Sequence, residues 1–276
     1  MHVENLAVLD VVFDSKDYSS TVSSSSPDVA ANLSQIVAAA SICNTAVFDA
    51  GTGSNDEKKE RVIVGNATGE HHDRITSTSS KFCADVAILK FADSVASVDE
   101  TRHRWEEVFR MNFNSKVRHH LFTFFFFACS TFVQQTKFML ILSKLAPSVS
   151  LDDILVAPLA PWDEFTPTSF LLTSKGAPEI LLPRCSFVLN PEGGAPLPIN
   201  PSICEKICAI QERWAGNGQR VLLLARRIIK NECLTHVDRH SEEFSALIEE
   251  YHRDLVIAGL VGLIDPLKPD IKDTVK

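Results

Sequence analysis

The sequence predicts an α+β fold, an antiparallel sheet flanked by helices. Three observations carry that expectation. Residues 219–225 read as a strong strand, and the apolar run 255–264 reads as a buried one. Residues 201–215 carry full helix punctuation: Asn200 to cap, Pro201 to start, Gly216 and Gly218 to end. Strands and helices also alternate irregularly, with several hairpin-like strand pairs, which fits a helix-covered sheet better than a regular parallel fold.

The remaining elements follow in order. Residues 1–13 alternate loosely and are rich in Val and Leu, so they read as a strand. Residues 14–28 are Ser-rich and reach Pro27, the composition of a loop or linker. Val29, Leu33, Ile36, Val37 and Ala40 stand at helical spacing and predict a core helix over 29–43. Residues 49–59 read as a loop and 61–64 as a short strand. Residues 86–95 form an amphipathic helix, and 105–113 and 137–142 are strands. Residues 147–167 hold four prolines and several acids and read as an extended surface segment. A strand from Phe170 then runs into a short helix that stops near Pro183. Residues 187–189 are a strand, 190–200 a Pro/Gly turn region and 242–252 a helix. The residues after Pro266 begin another helix.

Composition bounds the function. The chain has 276 residues, of which 45% are hydrophobic and 22% charged, enough for a real core. A net charge of -8 and a pI near 5.6 argue against a nucleic-acid partner, which needs a basic face. Seven cysteines, an odd number with no Cys-x-x-Cys pair, read as reduced, buried thiols in a cytosolic setting rather than as disulfides or a zinc site. The start Met1-His2-Val3-Glu4 is polar and unlike a signal peptide. The most apolar run, 121–133, is short of the about 20 residues that span a bilayer. The chain alone is therefore expected to be soluble or peripheral.

One corner draws the chemistry together. The strand from Phe170 ends on Lys175 and Gly176, and Pro178 and Glu179 then open a helix. Gly176 allows a ligand or another backbone to come close. Pro178 suits the first helical turn, and Glu179 is favoured there. The corner thus offers a lysine where phosphates or polar rings are often held. An ordinary surface lysine at a turn has the same local sequence.

Five stretches together resemble a known family. Gly65-Asn66-Ala67-Thr68, Phe113-Asn114-Ser115-Lys116, Lys175-Gly176-Ala177-Pro178-Glu179, Gly218-Gln219-Arg220-Val221-Leu222 and Gly262-Leu263-Ile264-Asp265-Pro266 occur in that order. The order is that of the P-type cation-transporting ATPases, and the text is most similar to the sodium/potassium- and proton/potassium-pump group, in a fungal member. The resemblance implies a nucleotide-binding domain over 14–258. It also implies short pieces of a haloacid-dehalogenase-like phosphorylation domain at 1–13 and 259–276. ATP, with Mg2+, would be the ligand. The phosphorylation, actuator and membrane domains of a pump would be the partners, at the cytosolic face of a membrane.

Roles carried over from the resemblance form one site. Phe113 would stack on adenine, and Lys175 would lie at the floor of the pocket with Gly176 leaving room for the ring. Asp85 would be the acid contacting adenine. Arg220 would reach the phosphates, where a guanidinium fork matches the oxygens, and Lys137 would be a second lysine near the nucleotide. Asp265 would sit at the hinge facing the phosphates. Lys268 stands where the family has arginine, so the charge is kept and the fork is lost.

Two features depart from the family. The sequence contains neither Asp-Lys-Thr-Gly-Thr nor Gly-Asp-Gly-x-Asn-Asp, the family's phosphate acceptor and magnesium carboxylates. Segments 69–84 and 117–135 interrupt family-like text; deleting them restores GNATDVAILKFAD and FNSKTKFML. The second carries Phe124-Phe125-Phe126-Phe127, a poor exposed loop. Both read as translated introns, with genuine surface insertions as the alternative. The expected function is an ATP-binding domain that positions ATP for phosphoryl transfer to an aspartate outside this sequence. The alternative is a stand-alone, non-catalytic nucleotide- or partner-binding protein, or a product without function. No Gly-x-Ser-x-Gly, His-Glu-x-x-His or Walker loop supports an independent hydrolase.

Overall fold

The computed structural model describes residues 1–48, 63–65, 83–113, 118–119, 133–134, 137–147, 149, 164–234 and 236–265. Outside them lie the predicted loop 49–59, most of the extended segment 147–167 and most of the two interrupting segments. The final helix and Lys268 lie outside as well.

The first strand, β1 (His2–Val8), turns back as β2 (Val11–Asp14). Two helices follow, α1 (Tyr18–Ser24) and α2 (Pro27–Ile42), then β3 (Ala46–Phe48) and β4 (Ile63–Gly65), which pair with each other. Next come α3 (Cys83–Val95), α4 (Val98–Arg104) and β5 (Trp105–Met111). Two short strands, β6 (Arg118–His119) and β7 (Val133–Gln134), form an antiparallel ladder of their own. The central strands β8 (Phe138–Leu145) and β9 (Phe170–Gly176) lead into α5 (Pro178–Leu181) and a 3-10 turn, Leu182–Arg184. The chain closes with β10 (Cys185–Val188), β11 (Leu197–Pro198), α6 (Pro201–Gly216), β12 (Arg220–Ile229), a 3-10 turn at Asn231–Cys233, α7 (Glu242–Tyr251) and β13 (Leu255–Ile264).

The main sheet runs β11-β10-β13-β12-β9-β8-β5, with β1 and β2 added beside β13. Its pairings are antiparallel except that of β10 with β13. This is the antiparallel, helix-flanked sheet that the sequence predicts. Strand β13 is long enough to take two partners along one edge: β10 pairs with its first residues and β1 with its last.

Helices cover both faces. Helices α2 and α3 pack with Leu224, Val256 and Val261 on one face. Helices α6 and α7 pack with Leu140, Leu172, Leu223 and Leu260 on the other. Side chains of a strand point alternately to opposite faces, so strands buried twice read as unbroken apolar runs. That is why β12 and β13 were recognisable. Gly259 in β13 lies under α2; a Cβ there would fall 2.5 Å from the Ala7 carbonyl oxygen and closer still to Ile36.

Three expectations need correction. Residues 14–28 are not all loop, because α1 occupies Tyr18–Ser24. Its hydroxyls turn inward on the backbone: Ser20 and Thr21 donate to the Asp17 carbonyl, and Ser23 to that of Ser19. Tyr18 is buried and donates to the Leu33 carbonyl at 2.7 Å, which anchors the turn. Second, α4 stands where no helix was expected. Ser97 caps it by accepting from Glu100 N–H. Third, the thiols are not uniformly buried. Cys43 is buried, Cys185, Cys204 and Cys208 are partly exposed, and Cys233 is exposed. Cys204 and Cys208 flank the inward stripe Ile203, Ile207 and Ile210 of α6, so the core takes the isoleucines first.

Candidate functional site

A cleft of about 320 Å³ opens where β9 ends and β12 begins. Phe113, Lys137 and Arg220 line it, with Glu179 and Gln211 on the helix side. Leu222 and Val221 form part of its wall. Three local devices bring these side chains together. Strand β5 stops at Met111, so Phe113 leaves the sheet and stays 51% exposed. Lys137 directly precedes β8, and its carbonyl accepts from Ala177 N–H at 3.4 Å. Gly218 takes φ +76° at the end of α6, where Gln219 N–H returns to the Trp214 carbonyl at 2.9 Å. That left-handed turn sends Arg220 to the cleft.

The charge balance of the cleft is lopsided. Lys137 and Arg220 are both exposed and form no ion pair among the described residues. Among the described residues Glu179 is the single carboxylate on the lining, and it accepts from Gln211 Nε2 at 3.2 Å. An exposed aromatic face beside two cations suits a ligand that is part ring and part anion.

Lys175 is elsewhere. It is buried, 6% exposed, and its Nζ donates to Asp85 Oδ1 at 2.7 Å. The surface-lysine reading of this corner is therefore excluded. Asp85, in the first turn of α3, also accepts at Oδ2 from the Thr45 hydroxyl at 2.6 Å and from Thr45 N–H at 3.2 Å. Burial works to raise the Asp85 pKa, but the Lys175 charge and the Lys175 and Thr45 hydrogen bonds outweigh it. The carboxyl is left below the usual range and stays ionised. Cys43 is buried beside the pair, and desolvation lifts its thiol to about 11. The thiol is thus protonated and unreactive at neutral pH.

The two clusters adjoin. Lys175 pairs across the ladder with Leu224, and Leu222 is two residues along the same strand. Residues i and i+2 share a face, so the cleft wall at Leu222 leads towards the buried pair. Gly176 stands between them. A Cβ there would meet the Lys137 carbonyl oxygen and Phe138 Cβ, each at 2.8 Å, so the close approach at this glycine is by strand β8. Asp265 joins neither cluster; it is exposed, 3.5 Å from the Met1 amino group.

Thus Phe113, Lys137 and Arg220 share the cleft, Lys175 and Asp85 form a buried pair behind it, and Asp265 stands apart. Glu179, Gln211 and Thr45 were not anticipated as contributors. Glu179 had a signal, its place in the Lys175–Glu179 corner. Gln211 and Thr45 had none, since their partners are 32 and 40 residues away in sequence.

Comparison with known proteins gives a consistent picture. Residues 160–270 match the family model described as P-type ATPase, cytoplasmic domain N. The chain is 33% identical over 106 residues to the endoplasmic reticulum calcium ATPase srcA of Aspergillus fumigatus, covering 38% of this chain and 10% of that protein. It is 25% identical over 247 residues to the potassium-transporting ATPase alpha chain 1 of Xenopus laevis, covering 88% of this chain and 18% of that protein. The chain thus spans less than a fifth of these relatives. No helix among the described residues is long and apolar enough to cross a membrane. The chain is thus similar over residues 160–270 to the cytoplasmic domain N of P-type ATPases, and over most of its length to part of a potassium-transporting ATPase.

Proposed function

We propose that the chain binds ATP in the cleft between Phe113, Lys137 and Arg220, as the nucleotide-binding domain of a P-type cation pump. One observation carries the reading: an exposed aromatic ring and two cations without ion-pair partners among the described residues line the same cleft. Phe113 offers a face for the adenine, since any base has a π-face to stack. Arg220 presents a planar fork to phosphate oxygens and Lys137 a mobile point charge. The buried Lys175–Asp85 pair fixes β9 against α3 behind the cleft and supports the adenine end. The chemistry is positioning: the nucleotide is held for phosphoryl transfer to an aspartate of the longer pump. The phosphorylation, actuator and membrane domains would be the partners, and the cytosolic face of a membrane the location.

Mg2+ would arrive with the nucleotide, as MgATP. Among the described residues no group of three or more His, Cys, Asp or Glu is placed to hold a metal, and the cleft lining has one carboxylate. The residues described thus do not fit a dedicated metal site.

Titration of the chain with ATP tests the proposal. Phe113→Ala is expected to lose about 1–3 kcal/mol of binding, the worth of one stacked base. Arg220→Ala is expected to weaken ATP more than adenosine and to flatten the salt dependence. Unchanged affinity in both variants would contradict the assignment.

A further inference from the structure

Arg102 stands in the last turn of α4, half-buried, and reaches three backbone carbonyls. Its Nε donates to the Ser41 oxygen at 2.8 Å, Nη1 to Ala46 at 2.9 Å and Nη2 to Asn44 at 3.2 Å. Ser41, Asn44 and Ala46 are all buried. Ser41 is in the last turn of α2, Asn44 in the turn that follows it, and Ala46 starts β3. The last carbonyls of a helix have no intrahelical partner and carry the negative end of its dipole. Only the Ser41 carbonyl is of that kind; a guanidinium can answer it and the two carbonyls beyond the helix at once, whereas an ammonium is a single point charge.

The turn so held is the one that presents Thr45. Asn44 closes it, accepting from Ala46 N–H at Oδ1 and donating from Nδ2 to the Asp85 carbonyl, both at 2.9 Å. Thr45 gives both its donors to Asp85 Oδ2, and Asp85 Oδ1 receives Lys175. Hydrogen bonds therefore run without a gap from Arg102, through the 44–46 turn and Asp85, to Lys175. The titratable groups near Arg102 are Arg110, Asp99, Glu107 and Asp85; those near Asp85 include Lys175 and the protonated Cys43 thiol.

We propose that Arg102 is a positioning residue for the nucleotide site: it clamps the 44–46 turn so that Thr45 keeps Asp85 aimed at Lys175. The nucleotide role of this clamp rests on the function proposed above. The clamp itself does not.

The test uses the full chain with Arg102→Lys and, independently, Thr45→Val. The second removes one hydroxyl donor and leaves the guanidinium contacts in place, so it remains informative if the first variant folds poorly. Three quantities are read: the 13C titration of the Asp85 carboxyl, ATP affinity well below the melting temperature, and Tm. Both variants are expected to raise the Asp85 midpoint and to weaken ATP about three-fold or more, and the double variant to add little, as for residues acting through one contact chain. A lowered Tm with a parental Asp85 titration and parental ATP affinity would overturn the proposal, leaving Arg102 a merely structural residue. Arg102→Lys behaving as the parent would overturn it too, because charge alone would then suffice. If the parent fails to bind ATP while both variants raise the Asp85 midpoint, the clamp stands and the nucleotide function falls.

Discussion

Replacing Lys175 by methionine removes the ammonium and keeps most of the stem. Lys175 and Asp85 are 6% and 16% exposed, so the variant leaves a buried carboxylate held by the Thr45 hydroxyl and N–H. Breaking a buried pair by removing one partner costs about 3–5 kcal/mol. For a chain of this size that is roughly 2–4 °C of Tm per kcal/mol. The pH dependence gives a sharper signature. In the parent, the folded pKa of Asp85 lies below its ordinary value. The group then contributes stability that is present above the unfolded pKa and is lost as pH falls through the folded one. In Lys175→Met burial dominates and the folded pKa rises above the unfolded value. The penalty is then largest at neutral pH and shrinks as acid protonates Asp85. Urea unfolding at neutral and mildly acidic pH, on parent, Lys175→Met and Lys175→Met/Asp85→Asn, measures this. The double variant is expected to recover much of the loss at neutral pH. A single variant as stable as the parent at neutral pH would refute the reasoning, as would a double variant no better than the single. Lys175→Glu is a poorer probe of binding, since it sets two carboxylates together in the core and tests the fold.

Three further outcomes follow from the geometry. His252 is fully buried against Phe138, accepts from Arg184 Nη1 at Nδ1, and so donates from Nε2 to Ser174 Oγ at 2.8 Å. Desolvation and the nearby Arg184 depress its folded pKa to about 3. Its contribution is therefore present above the unfolded value and drains as pH falls towards 3, by up to about 1.4 kcal/mol per unit; His252→Gln should flatten that acid limb of a stability–pH curve. Gly176→Ala should destabilise by about 1–3 kcal/mol in urea melts, because its Cβ would press on strand β8. Asn200→Ala removes the side chain that accepts from Ile203 N–H at 2.9 Å and should cost about 1 kcal/mol, read as a lower midpoint at unchanged m.

Much of the fold was legible because burial on both faces leaves its mark on every residue of a strand. Strand β13 is a continuous apolar run, β12 holds one over Val221–Ala225 and β9 opens on Phe170-Leu171-Leu172, and α6 carries both its cap and its stop. Helix α1 was hidden because serine and threonine hydroxyls that bond back to the preceding turn look, in sequence, like a linker. Helix α4 buries little beyond Val98, so no apolar stripe announced it. The parallel pairing of β10 with β13 joins residues about 70 apart and has no local signature. The site divides in the same way. Phe113, Lys137 and Arg220 could be named from ordered motifs, and they line one cleft. That Lys175 would be buried on Asp85, 90 residues earlier, depends on how α3 packs against the sheet.

The central claim is that ATP occupies the cleft beside Phe113 with its base near the β9–α5 corner. Photolabelling of the whole chain with an azido-adenine analogue of ATP, followed by peptide mapping, tests it most directly. The account predicts label on peptides holding Phe113 or the Lys175–Glu179 corner, lost on adding excess ATP and kept on adding inorganic phosphate. Label confined to peptides away from the cleft, or label that excess ATP does not displace, would contradict it.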